Sequence, residues 1–300
     1  MSQALRIASS PPDAGGAAPF NYFLHSHGPA TGATLHLGWI LAAICAAVCV
    51  LVAGLLGYAI WRRRPASERD VTGDPGRSLR WVGIGTAWST VLLFGLAAYA
   101  LTVLAEVGAP PRAAAFTVAV SAYDWWWRID YGDGPQRFTS ANELHIPVGV
   151  PVRVRLDSAD VIHAFWVPEL AGKTQMIPGV SNEQWLQADA PGLYRGECTQ
   201  FCGAQHAHMA FDVVAQAPAD FAAWRERQLR GSDARGEHGP DLTHLLGRRM
   251  LGAGLLSNTA AHRIAWVTQV QSYKPGARMP DMALSASERA DLGAYLDTLQ

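Results

Sequence analysis

Residues 38–61 read GWILAAICAAVCVLVAGLLGYAIW, an apolar run without a charged side chain, and residues 81–104 form a second such run. A helix of this length rises about 36 Å, which exceeds the hydrocarbon thickness of a bilayer. Tryptophans mark three of the four ends, where their amphipathic rings favour the membrane interface. We therefore expect a two-helix transmembrane hairpin over residues 38–104 and not a buried hairpin of a soluble protein.

The composition agrees with a membrane portion joined to a soluble one. Charged residues make up 16% of the 300-residue chain, and apolar residues make up 49%. Soluble domains usually have about a quarter of their residues charged, and a chain of this length predicts two or three units. The net charge of −1 gives no electrostatic reason to expect a nucleic-acid partner.

The distribution of arginines predicts the topology. The tail at residues 1–37 contains only Arg6, whereas the loop between the two runs contains Arg62, Arg63, Arg64, Arg69, Arg77 and Arg80. Since positive charges favour the cytoplasmic side, we expect a two-span protein of the bacterial inner membrane. Its tail and everything after residue 104 would be periplasmic. The first run is too long for a cleavable signal peptide and is followed, not preceded, by its arginines.

Residues 113–217 change to a period of two. Val152, Val154 and Leu156 alternate with Arg153 and Arg155, and pairs of proline and glycine punctuate the segment. Short, half-buried strands with turn signals at this spacing are typical of a small β-sandwich or barrel. The expected fold class is therefore a membrane-anchored, mainly β protein.

A cluster of potential metal ligands lies in residues 197–209, ECTQFCGAQHAHM. Cys198, Cys202, His206 and Met209 form C-x3-C-x3-H-x2-M, and His163 lies upstream in DVIHAFW. Thiolate, imidazole and thioether donors suit copper far better than magnesium or calcium, and two thiolates on one loop can bridge two metals. A disulfide and a zinc site are the alternatives. The disulfide leaves the histidines and the methionine unexplained, and methionine is a poor zinc ligand.

Residues 141–214 resemble the CuA domain of cytochrome c oxidase subunit II. The resemblance rests on ANELHIPVG, SADVIHAFWVPELAGKTQMIPG and PGLYRGECTQFCGAQHAHM, and on the aromatic run YDWWW at residues 123–127. It implies a cupredoxin-like sandwich with two coppers bridged by Cys198 and Cys202. Each copper then has two further ligands, which are His163 with Met209 for one, and His206 with the backbone carbonyl of Gln200 for the other.

The resemblance also implies a function. Cytochrome c would dock near Trp125, the copper centre would accept its electron, and haem in subunit I would receive it on the His206 side for reduction of oxygen to water. Subunits I and III and the membrane are the implied partners. Asp160 would orient a ligand or take part in docking. Further docking carboxylates would come from Glu143, Asp157, Glu169 and Asp189.

Other functions share parts of this pattern. A CuA-bearing subunit of a nitric oxide reductase has the same chemistry, and a membrane-anchored copper delivery protein has a related one. Quinol oxidase subunit II keeps the fold and loses the copper. The complete ligand set disfavours the delivery protein and the quinol oxidase. It does not separate a cytochrome c oxidase from a nitric oxide reductase.

The sequence departs from the family pattern in two places before residue 217. The family usually has glutamate at position 200, where its carboxylate helps to hold a magnesium ion, whereas this chain has Gln200. Many members also have a glutamate at the start of the second helix. Here that stretch reads SLRWVGIGTAW, so the proton uptake associated with that acid is not implied.

Residues 239–300 resemble the end of a fused cytochrome c domain. GPDLTHLLGRR and SYKPGARMPDM precede a closing segment with a capping box, Ser285 and Glu288, which predicts a helix. Met279 stands in the place of an axial haem ligand. No C-x-x-C-H motif occurs in the chain, so covalent haem is excluded. We expect a small, α-helical, haem-free remnant, joined by a linker at residues 218–238.

Overall fold

The computed structural model describes residues 22–62, 75–229 and 239–300. It contains two compact units. One is Gly32–Ala109, and the other combines the described residues up to Thr31 with Pro110–Gln300. The first 21 residues, most of the loop between the apolar runs, with Arg63, Arg64 and Arg69, and residues 230–238 of the expected linker lie outside the described residues.

The first unit contains α2 (Pro75–Gly108) and all but the first three residues of α1 (Pro29–Trp61). Both are long and apolar enough to cross a membrane, and almost none of their apolar residues are buried inside the structure. Side chains such as Val50 and Phe94 are therefore exposed on the surface of this unit. His36 Nδ1 and Tyr99 Oη form a hydrogen bond of 2.9 Å between the helices. The predicted pair of apolar helices is confirmed, and both helices extend beyond the predicted ends.

Most of the second unit is a β-sandwich of two five-stranded sheets, ordered β3-β2-β1-β5-β8 and β4-β10-β9-β6-β7. The pairs β1–β5 and β4–β10 are parallel, and the other neighbours are antiparallel. The strands are β1 (Thr117–Tyr123), β2 (Trp126–Tyr131), β3 (Phe138–Ala141), β4 (Glu143–Pro147), β5 (Val152–Ser158), β6 (His163–Trp166), β7 (Thr174–Met176), β8 (Asn182–Leu186), β9 (Gly192–Cys198) and β10 (Ala210–Gln216).

An aromatic cluster fills the space between the sheets next to the loop at residues 199–209, between β9 and β10, which we call the metal-ligand loop. The Trp127 ring lies 5.8 Å from Phe165 and 5.0 Å from Phe211, measured between ring centroids. Gly196 on β9 makes room for Phe211, since a Cβ atom there would lie 2.1 Å from the ring. The alternation in β5 is as predicted, with Val152, Val154 and Leu156 buried.

A short helix, α3 (Pro218–Gln228), follows β10 directly. Its Phe221 and Trp224 are buried in the main core, and the Trp224 ring stacks on His145 with 4.0 Å between centroids. These residues were expected to belong to a linker. That expectation is wrong for Pro218–Gln228, because the helix closes one end of the sandwich with two large aromatic side chains.

Residues 239–300, the C-terminal segment, are mainly helical and pack on the sandwich. Leu245, Leu251 and Leu296 form its core, and Ser285 and Glu288 form the predicted capping box. Residue Ala210 at the start of β10 donates its backbone N–H to Ala253 O at 3.2 Å. The elements are β11 (Met250–Leu251), β12 (Leu256–Ser257), α4 (Ala260–Thr268), α5 (Val270–Tyr273) and α6 (Ala286–Leu296).

Candidate metal site

The predicted ligands converge at one end of the second sheet. Cys198 is the last residue of β9, and His163 is the first residue of β6. These strands are antiparallel neighbours, with Phe165 opposite Cys198, so the two ligands lie side by side. The three remaining side chains, Cys202, His206 and Met209, are on the loop that joins β9 to β10.

The donor atoms are spaced as ligands of shared metal ions. The Sγ atoms of Cys198 and Cys202 are 3.9 Å apart. Metal–sulfur bonds of about 2.3 Å and metal–nitrogen bonds of about 2.0 Å place two donors of one tetrahedral metal roughly 3.5–4 Å apart. The other separations agree: His163 Nδ1 is 3.8 Å from Cys198 Sγ, and Cys202 Sγ is 3.5 Å from His206 Nδ1 and 3.8 Å from Met209 Sδ.

The two cysteines are free thiols, so the structure contains no disulfide between them. The backbone oxygen of Gln200 lies 3.3 Å from Cys198 Sγ, which brings the predicted carbonyl ligand into the same cluster. Three of the residues, His163, Cys198 and Cys202, form a group that could hold a metal ion. All six predicted ligands are therefore close together, and the soft donor set fits copper.

Burial and charge prepare the thiols for metal binding. Each cysteine is only 7% exposed. A hydrogen bond from the Cys202 thiol lowers the pKa of Cys198 to about 3, against the opposing effect of burial. The same interaction raises the pKa of Cys202. The lowered pKa of Cys198 favours the thiolate, the form that binds metal.

Asp160 orients His163. Its Oδ1 accepts a hydrogen bond from His163 Nε2 at 2.9 Å, and its Oδ2 accepts one from the backbone N–H of Asp124 at 2.7 Å. Burial opposes a charge on His163, but hydrogen bonds with Cys198 and Asp160 nevertheless raise its pKa. With Nε2 occupied, Nδ1 is the nitrogen that faces Cys198. A carboxylate that fixes a histidine ligand in this way commonly strengthens metal binding.

Asp160→Asn should weaken copper binding about 10- to 100-fold, because the amide offers His163 a poorer acceptor. Copper retention can be measured by titration with a competing copper chelator. Asp157→Asn is the matched control, since Asp157 pairs with Arg155 on β5 and does not contact a predicted ligand. Equal copper retention in Asp160→Asn and the wild type would contradict a role for Asp160 in orienting His163.

Trp125 touches the metal-ligand loop. Its indole Nε1 donates a hydrogen bond to Cys202 O at 2.9 Å. Gly203 lies under the ring with φ +113°, and a Cβ atom there would approach the ring to 3.1 Å. Trp125 lies in the turn between β1 and β2. Of its neighbours, Trp127 is buried in the core and Trp126 is half-buried.

One proposed docking carboxylate is ruled out. Glu143 is 4% exposed and accepts a hydrogen bond from the backbone N–H of Arg249 in the C-terminal segment. It is therefore an internal contact and not part of a docking surface. Asp157 and Glu169 are half-buried, and Asp189 is exposed, so these three remain hypotheses.

Sequence reasoning missed three residues beside the site. Asp124 supports Asp160 through its backbone, and Gly203 makes room for Trp125. Lys274, from the C-terminal segment, donates to backbone carbonyls on both sides of the site. The glycine after Cys202 was a usable signal, but nothing in the sequence connects Lys274 to residues so far away.

The fold and the donor set define a membrane-anchored protein with a cupredoxin-like domain and a candidate soft-metal site. A family profile, "Cytochrome C oxidase subunit II, periplasmic domain", matches residues 130–217. Cytochrome c oxidase subunit 2 of Alkalihalophilus pseudofirmus is 31% identical in an alignment that covers 87% of this chain and 86% of that protein. The chain therefore belongs to the cytochrome c oxidase subunit II family of the haem–copper oxidases.

Two further comparisons add detail. Quinol oxidase subunit 2 of Bacillus cereus is 36% identical over 107 residues, which cover 36% of each chain. The crystal structure of the periplasmic domain of cytochrome oxidase subunit II from Bradyrhizobium japonicum is 31% identical, with a TM-score of 0.37. That alignment covers 39% of this chain and 95% of the other.

Proposed function

We propose that this chain is the electron-accepting subunit of a respiratory cytochrome c oxidase. The proposal rests on one observation, the convergence of two thiols, two imidazoles and a thioether at distances that suit shared copper ions. Cys198 and Cys202 would bridge two coppers, His163 and Met209 would complete the ligands of one, and His206 and the Gln200 carbonyl would complete those of the other. When bound there, a dinuclear copper centre supplies reversible one-electron transfer between cytochrome c and the haem of subunit I.

The fold limits the motion of the donors and shields His163, Cys198, Cys202 and Met209 from water. Strands β6 and β9 fix His163 and Cys198, and the aromatic cluster around Trp127 backs the site. Met209 is only 1% exposed. A dry, rigid surrounding of this kind limits the rearrangement that accompanies a change of charge and tunes the reduction potential.

Trp125 is the proposed point of electron uptake from cytochrome c. Its ring is half-buried, and its N–H is bonded to the carbonyl of the ligand Cys202. The indole thus spans the short distance between the surface and the metal-ligand loop. On the His206 side of the loop, Phe201 is 75% exposed, and its ring centroid lies 5.7 Å from that of His206. We propose that this side faces subunit I, where oxygen is reduced to water.

The ligand set also favours a cytochrome c oxidase over a quinol oxidase and over a copper delivery protein. The similarity to a quinol oxidase subunit covers about a third of the chain, and the complete set of copper donors favours a cytochrome c oxidase. A copper delivery protein would need fewer and more exchangeable ligands than this buried cluster offers. A nitric oxide reductase subunit with the same copper centre remains the second candidate, which the partner catalytic subunit would distinguish.

We further propose a location in the bacterial inner membrane, with the tail and the second unit in the periplasm and subunits I and III as neighbours. The proposed domains are a tail at 1–37, a hairpin at 38–104, a copper domain at 113–217, to which α3 is now added, a linker in the following residues, and a haem-free cytochrome c-like remnant at 239–300. A cavity of about 870 Å³ lies between the proposed remnant and the sandwich. Trp125, Trp266 and Met279 are among the residues that line it.

Electron paramagnetic resonance with copper quantitation on the full chain, loaded with copper in detergent, tests the proposal. We expect two coppers per chain and hyperfine structure from one unpaired electron shared over both, since both thiolates bridge. A signal from a single localised copper, or no bound copper, would contradict the dinuclear site. Either result would favour a metal delivery protein or a subunit that has lost its copper centre.

A further inference from the structure

Lys274 is a buried lysine at the junction of the C-terminal segment and the metal-ligand loop. It follows α5 and is 4% exposed. Burial lowers its pKa to about 8. A buried ammonium is costly unless all its N–H groups are bonded, so the contacts of Lys274 Nζ decide whether this position is tolerable.

Three backbone carbonyls surround the ammonium. Lys274 Nζ donates to Trp125 O at 2.7 Å, to His208 O at 2.9 Å and to Gly252 O at 3.0 Å. An ammonium has three donors, so all of them are used. The three carbonyls belong to three different parts of the chain: the β1–β2 turn, the metal-ligand loop and the C-terminal segment.

A second contact holds the same junction. Gln205, which is buried, donates its Nε2 to Pro275 O at 2.8 Å. Gly276, one residue further, lies beside the Trp125 ring, which a Cβ atom at that position would approach to 3.7 Å. The segment 274–276 therefore contacts both the electron-uptake tryptophan and the loop residues between Cys202 and Met209.

We propose that Lys274 is a positioning residue for electron uptake, which fixes Trp125 against the metal-ligand loop and adds a positive charge beside the copper site. The inference rests on the proposed function. It assigns the C-terminal segment a task that requires no haem. Because a nearby positive charge stabilises the reduced, less positive form of a metal centre, removal of the charge should lower the reduction potential.

The test compares Lys274→Met with the wild type in the complete oxidase and, for the copper-free form, in the full chain. Methionine keeps the length of the side chain and removes the ammonium. We expect amide hydrogen exchange at His206 and His208 to become at least about tenfold faster, since their loop loses an anchor. At a fixed ambient potential, the ratio of reduced to oxidised copper should fall about tenfold, which corresponds to 59 mV for one electron.

Two further variants sharpen the comparison. Lys173→Met is the matched control, because Lys173 is exposed and lies over the Trp166 ring, and we expect no change in either measurement. Lys274→Gln covers the case in which Lys274→Met does not fold. Its amide can still donate to some of the carbonyls while the charge is lost, so the potential should fall in the same direction.

The outcomes separate this inference from the proposed function. Wild-type exchange and potential in a folded, copper-loaded Lys274 variant would overturn the inference and leave the dinuclear site intact. A wild-type protein without the shared-electron signal would instead overturn the proposed function. In that case the exchange measurement on the copper-free chain still decides whether Lys274 holds the loop, with wild-type rates counting against it.

Discussion

Cys198→Ser should abolish electron transfer from cytochrome c to oxygen. Serine is nearly isosteric with cysteine, but its hydroxyl is a hard, neutral donor that does not replace a bridging thiolate. The site would then lack one of its two bridges, and at most one localised copper would remain. We expect oxygen consumption with reduced cytochrome c to fall by more than about 100-fold, the upper limit usual for loss of an outer partner of a metal ligand.

The chain supplies a matched control for this substitution. Cys45→Ser makes the same chemical change in α1, where the cysteine is exposed on the helix and is not one of the predicted ligands. We expect its copper content and oxygen consumption to equal those of the wild type. Two coppers per chain and normal turnover in Cys198→Ser would show that the thiol is not a ligand and would remove the basis of the proposed function.

Trp125→Phe should slow oxidation of cytochrome c while leaving two coppers per chain. Phenylalanine has no N–H to donate to Cys202 O, and its smaller ring would leave a gap above Gly203. A misplacement of about 1 Å can cost a reacting pair up to about a hundredfold, so we expect a decrease on the order of tenfold or more. Stopped-flow mixing of reduced cytochrome c with the oxidised complex measures this step directly.

Trp126→Phe tests whether any tryptophan in this run would have the same effect. Trp126 is the next residue and is also half-buried, but it stacks on Tyr123 with 4.9 Å between centroids. We expect its electron-uptake rate to stay close to that of the wild type. Similar rates in the two variants would remove the special role of Trp125, and loss of copper from Trp125→Phe would instead indicate a structural role.

The features that sequence alone predicted well depend on short-range patterns. An uncharged apolar run specifies a spanning helix wherever it occurs, and Val152, Val154 and Leu156 specify which face of β5 is buried. The loop ligands lie within a dozen residues, so their spacing alone indicated a shared site. His163 required more, because only the pairing of β6 with β9 brings it beside Cys198.

The features that sequence did not predict depend on contacts between distant parts of the chain. In α3 only Phe221 and Trp224 are buried. Two apolar residues are too few to distinguish a packed helix from a linker by sequence, and the partner of Trp224, His145, is distant in the chain. In the sequence Glu143 resembles a surface carboxylate, but in the structure the C-terminal segment covers it. The contact between Lys274 and Trp125 joins residues 149 positions apart, and neither residue type indicates it.

The hydrogen-bond acceptors around Lys274 limit which substitutions this chain can tolerate during evolution. All three are main-chain oxygens, so substitutions at Trp125 or His208 alone would not remove them, whereas replacement of the lysine by a residue without a side-chain donor loses all three bonds together. Selection on the junction should therefore fall on one position. The segment 239–300 could accumulate mutations over much of its surface, while Lys274 and the backbone path through Gly252 would be retained.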